Sequence, residues 1–153
     1  MSQFRVQTVH YASELFSDLL AEADASDGRF MIRLRDRWLD GSERFDRPGE
    51  ILLGAFAGEK LIGVAGISHD PYEPEDGLGR VRHVYVLASY RRRGIARILL
   101  RQVIAHSRNH FAVLRLRTSN EVAARLYEDL GFVSSTKGRE SHRLRVDASP
   151  KRA

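Results

Sequence analysis

The stretch Val84-Tyr85-Val86-Leu87-Ala88-Ser89-Tyr90-Arg91-Arg92-Arg93-Gly94-Ile95-Ala96 decides how the rest of this chain is read. Up to it, Val81 to Leu87 alternates as a strand does, with Val84 and Val86 on one face and His83 and Tyr85 on the other. From Gly94 the period changes to 3.6, and Ile95, Ile98, Leu99 and Val103 share one face of a helix that reaches about Ser107. A strand that passes through a short basic turn into a helix aims unpaired backbone N–H groups, and the positive end of a helix dipole, at one spot. That spot is an anion site. Gly94 lets the backbone approach a ligand, and the small Ala96 leaves room for phosphates against the first helical turn. The turn is neither Gly-x-x-x-x-Gly-Lys-Ser/Thr nor Gly-x-Gly-x-x-Gly, so it is not a nucleotide loop of either kind. The competing reading is a surface turn whose three arginines are solvated.

Working outward, the spacing predicts a short strand over Phe4 to Val9 and a helix that opens at Ser13-Glu14 and aligns Leu15, Leu19, Leu20 and Ala23. A second helix from Arg29 to Leu39 aligns Met31, Leu34 and Trp38, and Asp40-Gly41-Ser42 ends it. Ile51 to Ala57 and Lys60 to Ser68 read as a hairpin turning at Gly58-Glu59, followed by a turn-rich acidic loop over 70–77. Beyond the central helix, Ala112 to Thr118 reads as a strand with Leu114 and Leu116 inward and Arg115 and Arg117 opposite. Ser119 or Asn120 caps a helix striped by Val122, Leu126 and Leu130 and stopped by Gly131. Phe132 to Ser134 and His142 to Val146 form a closing hairpin. Alternating strands and helices make the class α/β with a mixed sheet.

The chain's 153 residues suit one domain, expected over residues 1–148 with a frayed tail over 149–153. At that length about two-thirds of the unfolded surface is buried, enough for a core without staples. The absence of cysteine excludes disulfides, zinc–thiolate and iron–sulfur sites, and a cysteine nucleophile. Lys+Arg outnumber Asp+Glu by 25 to 20, and only Lys60, Lys137 and Lys151 are lysines. Arginine suits bidentate capture of phosphate or carboxylate, so an anionic ligand is expected. No apolar stretch reaches the ~18–20 residues of a membrane span, and no apolar segment follows a basic start; a cytoplasmic location is the expectation.

Arg91-Arg92-Arg93-Gly94-Ile95-Ala96 resembles the Arg/Gln-x-x-Gly-x-Gly/Ala signature of the GNAT superfamily of acyl-CoA-dependent N-acetyltransferases, and Val84-Tyr85-Val86 looks like the family's fourth strand. A second match, Asn120 through Phe132, is similar to the family's Asn-x-x-Ala-x-x-x-Tyr helix running into Gly-Phe. The resemblance covers nearly the whole chain. It implies a mostly antiparallel sheet flanked by helices, with the strands at Val81–Leu87 and Ala112–Thr118 splayed into an acyl-CoA cleft. It implies that Arg91, Arg92, Arg93, Gly94, Ile95, Ala96 and Arg97 wrap the pyrophosphate of acetyl-CoA. Val84, Tyr85 and Val86 would pair with the pantetheine amides, Asn120 would bind the cofactor arm, and Tyr127 would protonate the leaving thiolate. Plain capping by Asn120 and core packing by Tyr127 are the bland alternatives.

An amine acceptor must lose a proton, and the strand Val81-Arg82-His83-Val84-Tyr85 carries no carboxylate, which leaves His83 as its candidate general base. Glu73, Glu75 and Asp76 are candidates for drawing in a cationic amine or relaying its proton, against the bland reading of solvated loop carboxylates. The expected function is direct transfer of acetyl from acetyl-CoA to a primary amine of a small molecule, peptide or protein, with no covalent enzyme intermediate and no metal, by a monomer or homodimer. A non-catalytic acyl-CoA sensor is the alternative. A nucleic-acid-binding domain fits less well, because no basic groove helix or stacking surface is present; neither nucleic acid nor membrane is expected as a partner.

Overall fold

Gly58 carries the positive φ, +62°, of a tight reversal, and the apolar runs on either side of it pair as the antiparallel strands β2 (Ile51–Ala57) and β3 (Lys60–His69). Both are buried along almost their whole length, so both faces of the sheet must be covered. The computed structural model describes residues 3–25, 29–72 and 77–146. The other elements described are β1 (Arg5–Thr8), α1 (Ser17–Ala25), α2 (Arg29–Asp40), β4 (Leu78–Val86), α3 (Ile95–Ser107), β5 (Val113–Leu116), α4 (Glu121–Asp129), β6 (Val133–Ser134) and β7 (His142–Arg145). A 3-10 turn over Ala88–Tyr90 joins β4 to α3.

The strands form one sheet in the order β1-β2-β3-β4-β5-β7-β6, antiparallel except for the parallel pair β4 and β5. Neighbouring residues of β4 point to opposite faces: Val86 lies beside Ile95 of α3, whereas the Tyr85 ring meets Phe30 of α2 and its hydroxyl meets Glu22 of α1. Thus α3 covers one face and α1–α2 the other. Ile95, Leu99, Leu100, Val103 and Ile104 form the buried stripe of α3, each contributing about 1.5–3 kcal/mol by burial.

β4 and β5 pair only at Leu78–Val113, Gly79–Leu114 and Arg80–Arg115. Past that rung β4 runs on to Val86 with no partner on this side among the described residues, so the expected splayed pair is present. A bulge sharpens the divergence: Ala65 of β3 stands opposite both His83 and Val84, because Val64 pairs with Tyr85 and Gly66 with Arg82. His83, the extra residue, takes a φ of +59°.

Several expectations shift. Residues 13–16 form a turn and α1 opens at Ser17, whose hydroxyl donates to the Glu14 carbonyl at 2.9 Å. Strand β4 spans Leu78–Val86 rather than Val81 to Leu87. Ile98 is 37% exposed and Val122 78% exposed, so neither belongs to a core stripe; the buried residue of α4 is Tyr127. The tail 149–153 and the acidic residues Glu73, Glu75 and Asp76 lie outside the described residues.

The closed end of the fork is held by charge. Arg80, Arg115 and Arg143 stand abreast on β4, β5 and β7. Asp70 lies 3.5 Å from Arg80 and 3.3 Å from Arg115. Glu140 pairs with Arg115 and, at 2.8 Å, with Arg143. Arg115 is 1% exposed, which answers where its strand face points: into a buried ionic network, while Arg117 is exposed.

Candidate active site

The turn between β4 and α3 is built by short local bonds. Tyr90 N–H donates to the Leu87 carbonyl at 2.9 Å and Arg91 N–H to the Ala88 carbonyl at 3.3 Å. Arg92 and Gly94 then take φ values of +65° and +80°, which swing the backbone into the helix. Ile98 N–H to the Gly94 carbonyl, at 3.1 Å, is the bond that starts α3. The amides of Ile95, Ala96 and Arg97 precede it and have no intrahelical acceptor. Gly94 is exposed, and a Cβ built on it meets nothing within 4 Å. Open amides, a helix N-terminus and empty space above a glycine are what an anion needs.

The four arginines of the turn divide in a way the sequence did not indicate. Arg91 folds inward: its Nε donates to the Val86 carbonyl at 2.8 Å, and its guanidinium lies 5.2 Å from the Tyr85 ring and 3.6 Å from Glu22. Arg93 packs over Tyr90 at 5.2 Å. Arg97 pairs with Asp129 at 3.2 Å, which brings the last turn of α4 beside the first turn of α3. Arg92 is exposed and makes no ion pair among the described residues.

Glu22 is a site residue that no local pattern announced. Its carboxylate accepts from the Tyr85 hydroxyl at 2.6 Å and the Ala88 N–H at 2.8 Å, and faces Arg91. Burial pushes this carboxyl up, but Tyr85, Ala88 and Arg91 together outweigh it and hold it below the usual carboxylate range. One side chain of α1 therefore ties the end of β4 to the anion turn.

At the fork, α4 is anchored to α3 through Arg97–Asp129 and to β7 through Glu128, 2.8 Å from the His142 ring. Tyr127 immediately precedes these two anchors of α4 in sequence, 7% exposed, with its ring edge-on to Phe132 at 5.7 Å. Burial alone pushes its hydroxyl up to about 12. Asn120 is the N-cap of α4, its Oδ1 accepting from Ala123 N–H at 2.9 Å. Capping engages that oxygen and leaves the amide nitrogen to face outward chemistry.

His83 does not sit as a general base should. It is 6% exposed, set against Phe45 at 5.9 Å and hydrogen-bonded to the Phe30 backbone. Burial, with the charges of Arg82, Arg37 and Arg33, pushes its pKa down to about 3, so the ring is neutral and a weak base at neutral pH. The buried carboxylates are committed elsewhere. Glu43 accepts from Phe45 N–H, Glu50 from Arg47 and His69 N–H, and Asp70 and Glu140 serve the arginine network. Among the described residues no group of three His, Asp or Glu side chains is placed to hold a metal, and no helix is long and apolar enough to cross a membrane.

A forked sheet, a strand edge left unpaired among the described residues and a turn with open amides at its end form the frame of the candidate site. The chain belongs to the acetyltransferase (GNAT) family, whose model matches residues 12–132. It is 37% identical over 89 residues to the N-alpha-acetyltransferase RimI of Mycobacterium tuberculosis, covering 56% of this chain and 53% of that protein. The chain thus spans about half the length of this relative. In structure it is similar to a proposed acetyltransferase from Exiguobacterium sp. 255-15, with a TM-score of 0.82, 23% identity, and 94% and 93% of the two chains covered. It is also similar to yncA of Salmonella typhimurium, solved with its cofactor acetyl-CoA, with a TM-score of 0.66, 16% identity, and 97% and 96% covered.

Proposed function

We propose that this chain transfers acetyl from acetyl-CoA to a primary amine by direct attack. The observation that carries the reading is the set of open amides at Ile95, Ala96 and Arg97 beneath the empty space at Gly94, placed at the end of the unpaired edge of β4. The pyrophosphate fits those amides, with the exposed Arg92, which makes no ion pair among the described residues, beside them. The backbone of Val84, Tyr85 and Val86 offers strand-type hydrogen bonds to the pantetheine amides. Arg91, Arg93 and Arg97 support the turn, and the Asn120 amide nitrogen faces the cofactor arm. The amine nitrogen attacks the thioester carbonyl carbon; the C–N bond forms, the C–S bond breaks, and the Tyr127 hydroxyl donates to the departing sulfur while the ammonium proton passes to water. The name of the mycobacterial relative favours an α-amine as acceptor.

The direct test is free-thiol release from acetyl-CoA with amino acids, peptide N-termini, polyamines and aminoglycosides as acceptors. Turnover with one class supports the reading, and failure of every acyl-CoA to bind overturns it. The depressed His83 and the committed carboxylates favour a second reading, an acyl-CoA sensor. Thermal stabilisation by coenzyme A without turnover on any acceptor would select it.

Two substitutions probe the turn. Gly94→Val places a β-branched residue at a φ of +80° and fills the space above the amides; coenzyme A affinity, measured by titration calorimetry, is expected to fall about a hundredfold, for a fold destabilised by only about 1–2 kcal/mol. Glu22→Gln keeps an acceptor oxygen but removes the charge facing Arg91. Its expected effect is a rise in KM for acetyl-CoA of about tenfold with kcat within about twofold, because charge-assisted hydrogen bonds are worth ~1.5–3 kcal/mol.

A further inference from the structure

On the α2 face of the sheet, the fork is floored by arginines that share a few carboxylates among the described residues. Arg80 stands at the last paired rung of β4 and β5, and the carboxylate that meets it, Asp70, is shared with Arg115. Two residues on, Arg82 reaches Ser68 at 3.4 Å and Glu43 at 3.9 Å, and Glu43 is itself shared with Arg47. The Arg82 side chain is only 9% exposed. Tyr72 is flanked by two guanidiniums, Arg80 at 4.6 Å and the exposed Arg139 at 5.0 Å. Arg33 and Arg37, one turn apart on α2, form no ion pair among the described residues, yet their charges reach His83 and that of Arg37 reaches Arg82. Burial holds both Arg80 and Arg82 below the ordinary arginine range, a sign of guanidiniums short of compensation.

We infer that this arginine-lined floor selects acceptors in which the amine to be acetylated is an α-amino group beside a carboxylate, either an acidic amino acid or a peptide that begins with one. The carboxylate supplies counter-charge to Arg37 and Arg33, which form no ion pair among the described residues, and adds to the shared Glu43 at Arg82; a fork of guanidinium donors matches its two oxygens. The same positive field favours the uncharged amine. The α-amino group of a peptide, with an ordinary pKa of about 7.7–8.0, loses its proton more readily there than a lysine or polyamine amine near 10.4, which stays charged and is repelled. The inference rests on the acetyltransferase reading above.

The test compares kcat/KM for C-terminally amidated Asp-Ala-Ala, Asn-Ala-Ala and Lys-Ala-Ala, with free glutamate against glutamine amide to separate a small acceptor from a peptide N-terminus. The aspartyl peptide, or glutamate, is expected to exceed its amide counterpart about tenfold, with the lysyl peptide lowest. Because Arg82 is buried beside Glu43, its replacement endangers the fold. Arg33→Gln and Arg37→Gln on the α2 surface carry the test instead, and together they should reduce the acid-to-amide ratio about fivefold, while Arg108→Gln at the far end of α3 leaves the ratio unchanged. Equal rates on acidic and neutral acceptors, a preference for the lysyl peptide, or a ratio unmoved in the double variant overturns the inference and leaves the transferase reading standing. No turnover on any acceptor overturns both.

Discussion

Asp70→Ala is expected to lower the stability of the fold by about 3–5 kcal/mol, because it removes the buried carboxylate that two guanidiniums share and strands Arg80. The Asp70 side chain is fully buried between Arg80 and Arg115, which are 8% and 1% exposed. Glu140 remains for Arg115, but Arg80 loses the carboxylate that faces it. Replacing both ends, Asp70→Ala with Arg80→Met, should recover part of the loss, since a buried pair exchanged for apolar groups is far less costly than a broken one. Urea denaturation reads this as a lower midpoint at unchanged slope, and heating as a fall in Tm on the order of 10 °C. The same network sets an acid limit. Burial pushes the Glu140 carboxyl up, but hydrogen bonds from Arg143 and Ser135 and the charges of Arg143 and Arg115 outweigh it and hold it below the usual carboxylate range. A carboxyl depressed in the folded state stabilises above its unfolded pKa, so this contribution is complete above about pH 4.5 and fades as pH falls through the lower, folded value. Wild type should therefore lose stability in that window, and Glu140→Gln should show a flatter acid limb.

What the sequence made legible was local. The turn from Arg91 to Ala96, the reversal at Gly58 and the cap at Asn120 each depend on residues within one or two turns of each other, and each is present where its composition places it. The bulge at His83 left no mark, because the alternation of His83, Val84 and Tyr85 reads as regular strand and the irregularity arises only in pairing with Val64 and Gly66. Glu22 lies 63 residues from Tyr85 and Arg80 59 residues from the Arg139 carbonyl it donates to, so their partnerships belong to the tertiary fold and not to any spacing. Val122 was misplaced for a related reason: Tyr127, two-thirds along α4, sets which face turns inward, and that face runs through Ala123 rather than Val122. The arginine excess was visible as composition, but its division into a turn, a buried network and a cationic floor required the face of each strand.

Tyr127→Phe is expected to lower kcat about a hundredfold with little change in KM for acetyl-CoA. The ring of Tyr127 packs edge-on to Phe132, and phenylalanine preserves that contact, so any effect on turnover belongs to the hydroxyl. With its pKa pushed up to about 12, the hydroxyl is neutral across the working range and always able to donate. It is also a weak acid beside a thiol near 8.5: full transfer to the sulfur is uphill by about 3.5 units, or roughly 5 kcal/mol. On the proposed reading the hydroxyl would act chiefly as a hydrogen bond that strengthens as negative charge develops on sulfur, with complete protonation of the thiolate left to solvent after the C–S bond breaks. This assigns a specific pattern. Stability of the variant should match wild type within about 1 kcal/mol, because the hydroxyl sits in a desolvated setting where its loss is nearly neutral. Coenzyme A affinity should change less than about twofold, since the anion turn is untouched. The rate of the wild type should not decline from Tyr127 ionisation until pH approaches 12. Unchanged kcat at saturating substrates would make Tyr127 a packing residue of α4 and move the stabilisation of the thiolate to the backbone amides of the fork.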